Sequence, residues 1–123
     1  MVEEMRRALF RHFAETGRPP DLTREELALL AERRAVVLGA DGALEFANPF
    51  AVGPTEHVVT TGAGVRYAIC IWDALGILAL LGDGRIDANG LELVVRDGEL
   101  EPTDTVVHFL VPAAQWYDDL RFT

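Results

Sequence analysis

The segment YAICIWDALGILALLG, residues 67–82, decides how the rest of this chain is interpreted. It is almost entirely apolar and closes at Gly82, a pattern typical of a buried helix with a glycine after its last turn. The chain's only cysteine, Cys70, stands near the start, and Asp73 follows three residues later. That spacing puts both side chains on one helical face. The segment therefore predicts a buried helix from about Cys70 to Leu81, with a thiol and a carboxylate at its N-terminal end.

Short strands are predicted on both sides of this helix. The turn signals between apolar runs are Asp41-Gly42, the glycines of TGAG (61–64) and Asn89-Gly90. Each of them predicts an antiparallel pair of strands. A further strand is predicted over TVVHFLVP (105–112), followed by a short helix or turn over AAQWYDDL (113–120). The expected fold class is α+β, a mostly antiparallel sheet packed on the buried helix.

The N-terminal part predicts two helices before the first hairpin. Residues 2–15 carry an apolar stripe with charges opposite, the pattern of an amphipathic helix. Thr23 with Glu26 three residues on is a capping-box signature, which predicts a second helix ending near Arg34. Helix, helix and hairpin outline a small winged-helix-like lobe over residues 1–48, abbreviated because a third helix is missing.

The stretch NPFAVGPT, residues 48–55, predicts a linker. Two prolines and a glycine within eight residues suit neither a helix nor a central strand. The boundary between the lobe at 1–48 and a second domain at 49–123 is therefore expected here.

Composition excludes several classes of function. The net charge is −9 and the chain has eleven arginines and no lysine, an acidic balance that argues against nucleic acid as a partner. One cysteine cannot form an internal disulfide or a thiolate metal cage, and the absence of serine excludes a serine nucleophile. The longest apolar stretch is too short to cross a membrane. With no export leader apparent, we expect a cytoplasmic protein.

Two interpretations of the Cys70 and Asp73 pair remain open from the residues alone. At a helix start, unpaired N–H groups and the helix dipole favour the thiolate and lower the thiol pKa, whereas a carboxylate nearby opposes this and can serve as an acid. The alternative is a packed core cysteine beside a helix-start aspartate. The histidines at positions 12, 57 and 108 lack metal-ligand spacing and are interpreted as structural.

Several stretches together resemble one protein family, the alkylmercury lyases. They are FANPF (46–50), VGPTEHVV (52–59), YAICIWDALGILALLG (67–82) and VHFLVPAAQWYDDLRFT (107–123). The resemblance implies protonolytic cleavage of a carbon–mercury bond to hydrocarbon and Hg(II). It also implies that residues 49–123 form an alkylmercury-lyase-like core domain, with Cys70 binding the substrate mercury and Asp73 shuttling the proton.

The family's second catalytic cysteine would fall at or just after Thr123, and it does not occur in this sequence. The resemblance thus suggests a chain truncated at its C-terminus. The expected partners are a small organomercurial and small-molecule or protein thiols, with an external thiol as co-reactant, no cofactor and no membrane. The alternative is a non-catalytic, thiol-based module for soft metals, a degenerate homologue of the lyase. A DNA-reading lobe, suggested by Arg33 and Arg34, is disfavoured by the acidic charge.

Overall fold

The structure is a computed structural model and describes residues 1–106 of the 123-residue chain. This part contains three helices and eight strands. The helices are α1 (Val2–Thr16), α2 (Arg24–Glu32) and α3 (Ile71–Leu81). The strands are β1 (Val37–Leu38), β2 (Leu44–Ala47), β3 (Phe50–Ala51), β4 (His57–Thr61), β5 (Gly64–Ala68), β6 (Gly84–Ala88), β7 (Leu91–Arg96) and β8 (Glu99–Leu100).

All eight strands join one antiparallel sheet in the order β1-β2-β3-β5-β4-β6-β7-β8. Side chains of directly paired residues project from the same face of a sheet. The paired row Val59, Arg66, Ile86 and Leu93 is buried, and α3 packs over β4, β5 and β6, which carry the first three of these residues. The α+β class and the antiparallel sheet predicted from the sequence are confirmed.

Helix α3 occupies its predicted position and buries one side. Ala74, Ile77 and Leu78 are buried against strands β4, β5 and β6. On the opposite side, Trp72 is 54% exposed and Leu80 is 47% exposed. The helix is apolar nearly all round, but only the stripe that meets the sheet is enclosed by the described residues.

Helix α1 covers the neighbouring part of the sheet through aromatic packing. Phe13 stacks on Phe50 of β3 with ring centroids 5.5 Å apart, and Phe10 contacts the same ring at 5.6 Å. The helix ends at Gly17, whose φ of 75° is the left-handed conformation that glycine adopts without a steric cost. The apolar stripe of this amphipathic helix therefore packs on the sheet, as the sequence predicts.

The linker prediction for residues 48–55 is wrong in part. Phe50–Ala51 form β3, which pairs with both β2 and β5 and so lies inside the sheet. Pro49 precedes the strand and removes no ladder bond from it, and the burial of Phe50, 1% exposed, holds the segment in place. Strand pairing thus crosses the expected boundary, which counts against a division there. The domains 1–48 and 49–123 remain a prediction.

The remaining predictions concern the cap of α2, the hairpins, the N-terminal lobe and the C-terminal residues. The capping box of α2 and the three hairpins are confirmed. The winged-helix character of the N-terminal part remains a prediction. Strand β8 was not predicted, although Asp97-Gly98 just before it is a turn signal. The last predicted strand and the short helix or turn fall almost wholly on 107–123, outside the described residues. Among residues 1–106, no helix is long and apolar enough to cross a membrane.

Replacing Ile77 tests the packing of α3 on the sheet. We expect Ile77→Ala to lower the free energy of unfolding by about 2–5 kcal/mol, because truncating this fully buried side chain leaves a cavity in the core. Leu80→Ala on the exposed side of the same helix is the matched control, with an expected loss below about 1 kcal/mol. Urea denaturation followed by circular dichroism measures both. Equal losses would contradict the orientation of α3.

Candidate active site

Cys70 lies at the junction of β5 and α3. Strand β5 ends at Ala68, and Cys70 is the N-cap residue of α3, with an extended backbone (φ −147°, ψ 176°). Its carbonyl oxygen accepts the first helical hydrogen bond, from the N–H of Ala74 at 3.0 Å. The side chain is half-buried and is therefore not enclosed in the core. The end of β5 and the start of α3 therefore fix the position of the thiol.

The structure brings Cys70 and Asp73 together, as their spacing predicts. The Cys70 thiol donates a hydrogen bond to Oδ2 of Asp73, with a sulfur-to-oxygen distance of 3.4 Å. Asp73 lies in the first turn of α3 and is also half-buried. A thiol and a carboxyl group in contact form an acid and a soft nucleophile that can exchange a proton.

Burial dominates the electrostatics of this pair. It raises the pKa of the Cys70 thiol; the negative charge of Asp73 and the hydrogen bond to it raise that pKa further, while the N–H groups of Asp73 and Trp72 lower it. Burial also raises the pKa of the Asp73 carboxyl, and the bond from the thiol partly offsets this. The N–H groups at the helix N-terminus lower the thiol pKa and the nearby carboxylate raises it, as expected, but desolvation outweighs the N–H groups and the net shift is upward.

A cavity of about 250 Å³ opens beside the first two turns of α3. We call it the α3–β7 cavity; it is lined by Ile71 and Leu75 of α3, His57 of β4, Leu91 and Leu93 of β7, and residues from β6, β8 and the segment 103–106. Sequence analysis did not identify it. The cavity depends on strand pairing between distant segments, for which the local sequence gives no signal.

The other candidate residues are dispersed. His12 lies on α1, where its Nδ1 is 2.8 Å from the carbonyl oxygen of Arg18, a structural contact as predicted. His57 lines the α3–β7 cavity, and burial lowers its pKa. His108 lies outside the described residues. Within residues 1–106, no group of three or more His, Cys, Asp or Glu side chains is placed to hold a metal ion.

These features define an α+β protein with a thiol–carboxyl pair at a helix N-terminus. The family model of the alkylmercury lyases (MerB) matches residues 50–123, which include both members of the pair. The chain belongs to the alkylmercury lyase family. A comparison with curated proteins finds no match.

A solved structure supports the fold. The crystal structure of the mercury-bound form of MerB2 superposes with a TM-score of 0.63 at 23% sequence identity. The match covers 84% of this chain and 59% of that one. The chain thus shares its fold with a protein of the family and spans about three-fifths of that protein's length.

Asp73→Asn tests the electrostatics of the pair. The substitution removes the negative charge and the carboxylate acceptor that help to raise the pKa of Cys70, so we expect this pKa to fall. Below the wild-type pKa, a larger fraction of Cys70 is then thiolate, and alkylation by iodoacetamide becomes severalfold faster. The rate measured against pH gives the pKa directly. Asp21→Asn, an exposed acid before α2, is the control. A Cys70 pKa that stays unchanged or rises in Asp73→Asn would contradict this account.

Proposed function

We propose that this chain cleaves the carbon–mercury bond of organomercurials by protonolysis, releasing a hydrocarbon and Hg(II). The proposal depends on one observation, the 3.4 Å contact between Sγ of Cys70 and Oδ2 of Asp73 within the segment that matches the family. Cys70 binds the mercury of the substrate, and Asp73 carries the proton.

Binding begins with exchange of thiols at mercury. Mercury is a soft cation that prefers thiolate to the other protein ligands. The Cys70 sulfur forms a bond to mercury, the bond from mercury to the substrate's original thiolate breaks, and that group leaves as a thiolate that takes a proton from the solvent. Because burial keeps Cys70 protonated, its proton must be removed as the bond forms. The Asp73 carboxylate already accepts a hydrogen bond from this thiol and takes the proton.

Cleavage then returns the proton to carbon. Protonated Asp73 donates to the carbon attached to mercury, and the electron pair of the carbon–mercury bond becomes the new carbon–hydrogen bond. Mercury remains Hg(II) on the sulfur of Cys70, and Asp73 returns to the carboxylate. Because burial raises its pKa, Asp73 retains the proton to higher pH than an exposed aspartate does, as a general acid requires.

Product release requires a second sulfur. The chain has one cysteine, so an external small-molecule or protein thiol supplies the second sulfur. This sulfur first activates the mercury and then removes Hg(II). No cofactor enters the scheme. A thiol-dependent reaction fits a reducing compartment, and we propose the cytoplasm as the location. Membranes and nucleic acids are not among the proposed partners.

The second candidate function is a non-catalytic module that binds soft metals through Cys70. The observation that favours it is the single cysteine, because residues that act as a unit lose most of their effect when one is absent. Measured turnover separates the two functions.

Hydrocarbon release from phenylmercury tests the proposal. We expect the chain to release benzene slowly at low thiol and faster as a small thiol is added. Cys70→Ser loses mercury binding and turnover, because the soft ligand is gone. Asp73→Asn retains mercury binding but loses at least about tenfold in turnover, because an amide cannot donate the proton. Gas chromatography of benzene and mass spectrometry of the mercury adduct measure the two properties.

Asp21→Asn controls for the loss of one negative charge and is expected to match the wild-type chain. Equal benzene release by the wild-type chain, Cys70→Ser and Asp73→Asn would show that the free thiol does the chemistry. In that case the binding module would be the better assignment.

A further inference from the structure

A groove lies between α1 and the last turn of α3, at the opposite end of α3 from Cys70. We call it the α1–α3 groove, and it is lined by Arg6, Arg7, Phe10, Arg11, Ala14 and Leu80. Its volume is about 440 Å³, and Leu80 within it is 47% exposed. Neither Cys70 nor Asp73 lines this groove, so the proposed function gives it no role.

Helical spacing arranges the α1 residues of the groove as an apolar strip between two cationic sides. With about 3.6 residues per turn, Phe10 and Ala14 lie one turn apart on the same strip of the helix surface. Arg6 lies on one side of this strip, and Arg7 and Arg11 lie on the other. The groove therefore presents an apolar floor with guanidinium groups along both sides.

The groove also carries excess positive charge. The carboxylate of Glu3 accepts a hydrogen bond from Arg6 at 2.7 Å and lies 3.5 Å from the guanidinium of Arg7. Arg11 forms no ion pair with any carboxylate of residues 1–106. Three arginines thus share one paired carboxylate, in a chain whose net charge is −9. The positive charge of the groove is a local exception on an acidic protein.

This combination favours an acidic, amphipathic helix over other anions. Such a helix inserts apolar side chains at positions i and i+4 into a groove and keeps its charged side chains on the flanks. From Arg6 to Ala14, α1 rises by about 12 Å, which is the length of roughly two helical turns. A nucleic acid or an anionic membrane spreads its charge over a wider area, where it meets the negative charge of the remainder of the chain. Neither presents an apolar ridge between two rows of negative charge.

We propose that the α1–α3 groove binds an acidic amphipathic helix of a partner protein, with two apolar side chains on the floor of the groove and carboxylates paired with its arginines. In this complex Arg11 gains a carboxylate partner, and the exposed side chain of Leu80 is removed from water. The surface is a second functional site, independent of the mercury chemistry at Cys70.

Fluorescence anisotropy of a dye-labelled synthetic peptide tests this inference on the full chain. The probe is an alanine-based helical peptide with two leucines at positions i and i+4 and glutamates on both flanks. We expect it to bind, and to bind about tenfold more weakly when alanine replaces both leucines. Replacing the glutamates by lysine is expected to abolish binding, because like charges then meet across the groove. Added salt weakens binding of the acidic peptide, since the ion pairs are exposed.

A double variant removes charge from the groove. Arg7→Gln combined with Arg11→Gln is expected to weaken binding of the acidic peptide about tenfold, because two exposed ion pairs are lost. Arg18→Gln combined with Arg24→Gln is the matched control, since both are exposed arginines that do not line the groove. This control changes the net charge equally and is expected to bind as the wild-type chain does.

A second variant removes part of the apolar floor. Leu80→Ala is expected to weaken peptide binding about fivefold, because less apolar surface is buried in the complex. Leu29→Ala is the control, because Leu29 is a 40% exposed leucine of α2 that does not line the groove. Its affinity is expected to equal that of the wild-type chain. Far-UV circular dichroism verifies that each variant is folded.

Several outcomes would overturn the inference. One is that the acidic peptide does not bind, and another is that the groove variants and their controls lose affinity equally, because binding then depends on overall charge. Phosphatidylglycerol vesicles and a DNA duplex are measured beside the peptide, and tighter binding of either through Arg7 and Arg11 would assign the groove to that occupant instead. Benzene release is expected to be unchanged in the double variant of Arg7 and Arg11, so this inference and the proposed function fail separately.

Discussion

The packing of α3 on the central strands is the contact on which the remainder of the structure depends. Ile77 is fully buried with Val59 of β4 and Ile86 of β6 in one core, where β4 and β6 pair directly. Gly84 at the start of β6 has no room for a side chain, because a Cβ there would meet the backbone of Thr60 and the side chain of Leu78. Such close packing fixes the helix on the sheet, and its N-terminal turn carries the candidate site.

Arg66 connects this core to α1. The side chain is 4% exposed, and its guanidinium donates to the carbonyl oxygens of Ala14 at 3.0 Å and Val65 at 2.9 Å. A cation near the C-terminus of α1 is favoured by the partial negative charge there, which offsets part of the cost of burying it. Since Arg66 lies in β5, four residues before Cys70, the N-terminal helix supports the strand that delivers the thiol. The N-terminal segment therefore belongs to the same packing unit as the site.

The electrostatics of the site favour proton transfer over general thiol reactivity. A helix-start cysteine is often a thiolate, yet burial and Asp73 hold the pKa of Cys70 above its usual value. Asp73 also has a raised pKa, so both groups hold their protons to higher pH than exposed groups do. Mercury can displace a thiol proton because its bond to sulfur is strong, whereas weaker electrophiles need the free thiolate. Both directions are what the proposed function requires of the pair, which must bind a soft metal and deliver a proton to carbon.

The sequence by itself determined the features that depend on local periodicity and turn chemistry. These include α3, the hairpins, the capping box of α2 and the placement of Cys70 and Asp73 on one helical face, because each follows from residues a few positions apart. Tertiary structure decided what depends on contacts between distant segments. It made Phe50–Ala51 a strand within the sheet, set the burial that outweighs the N–H groups and raises the thiol pKa, and assembled the α3–β7 cavity. Desolvation and cross-strand pairing arise only when the chain has folded and distant segments are in contact, so no local pattern encodes them.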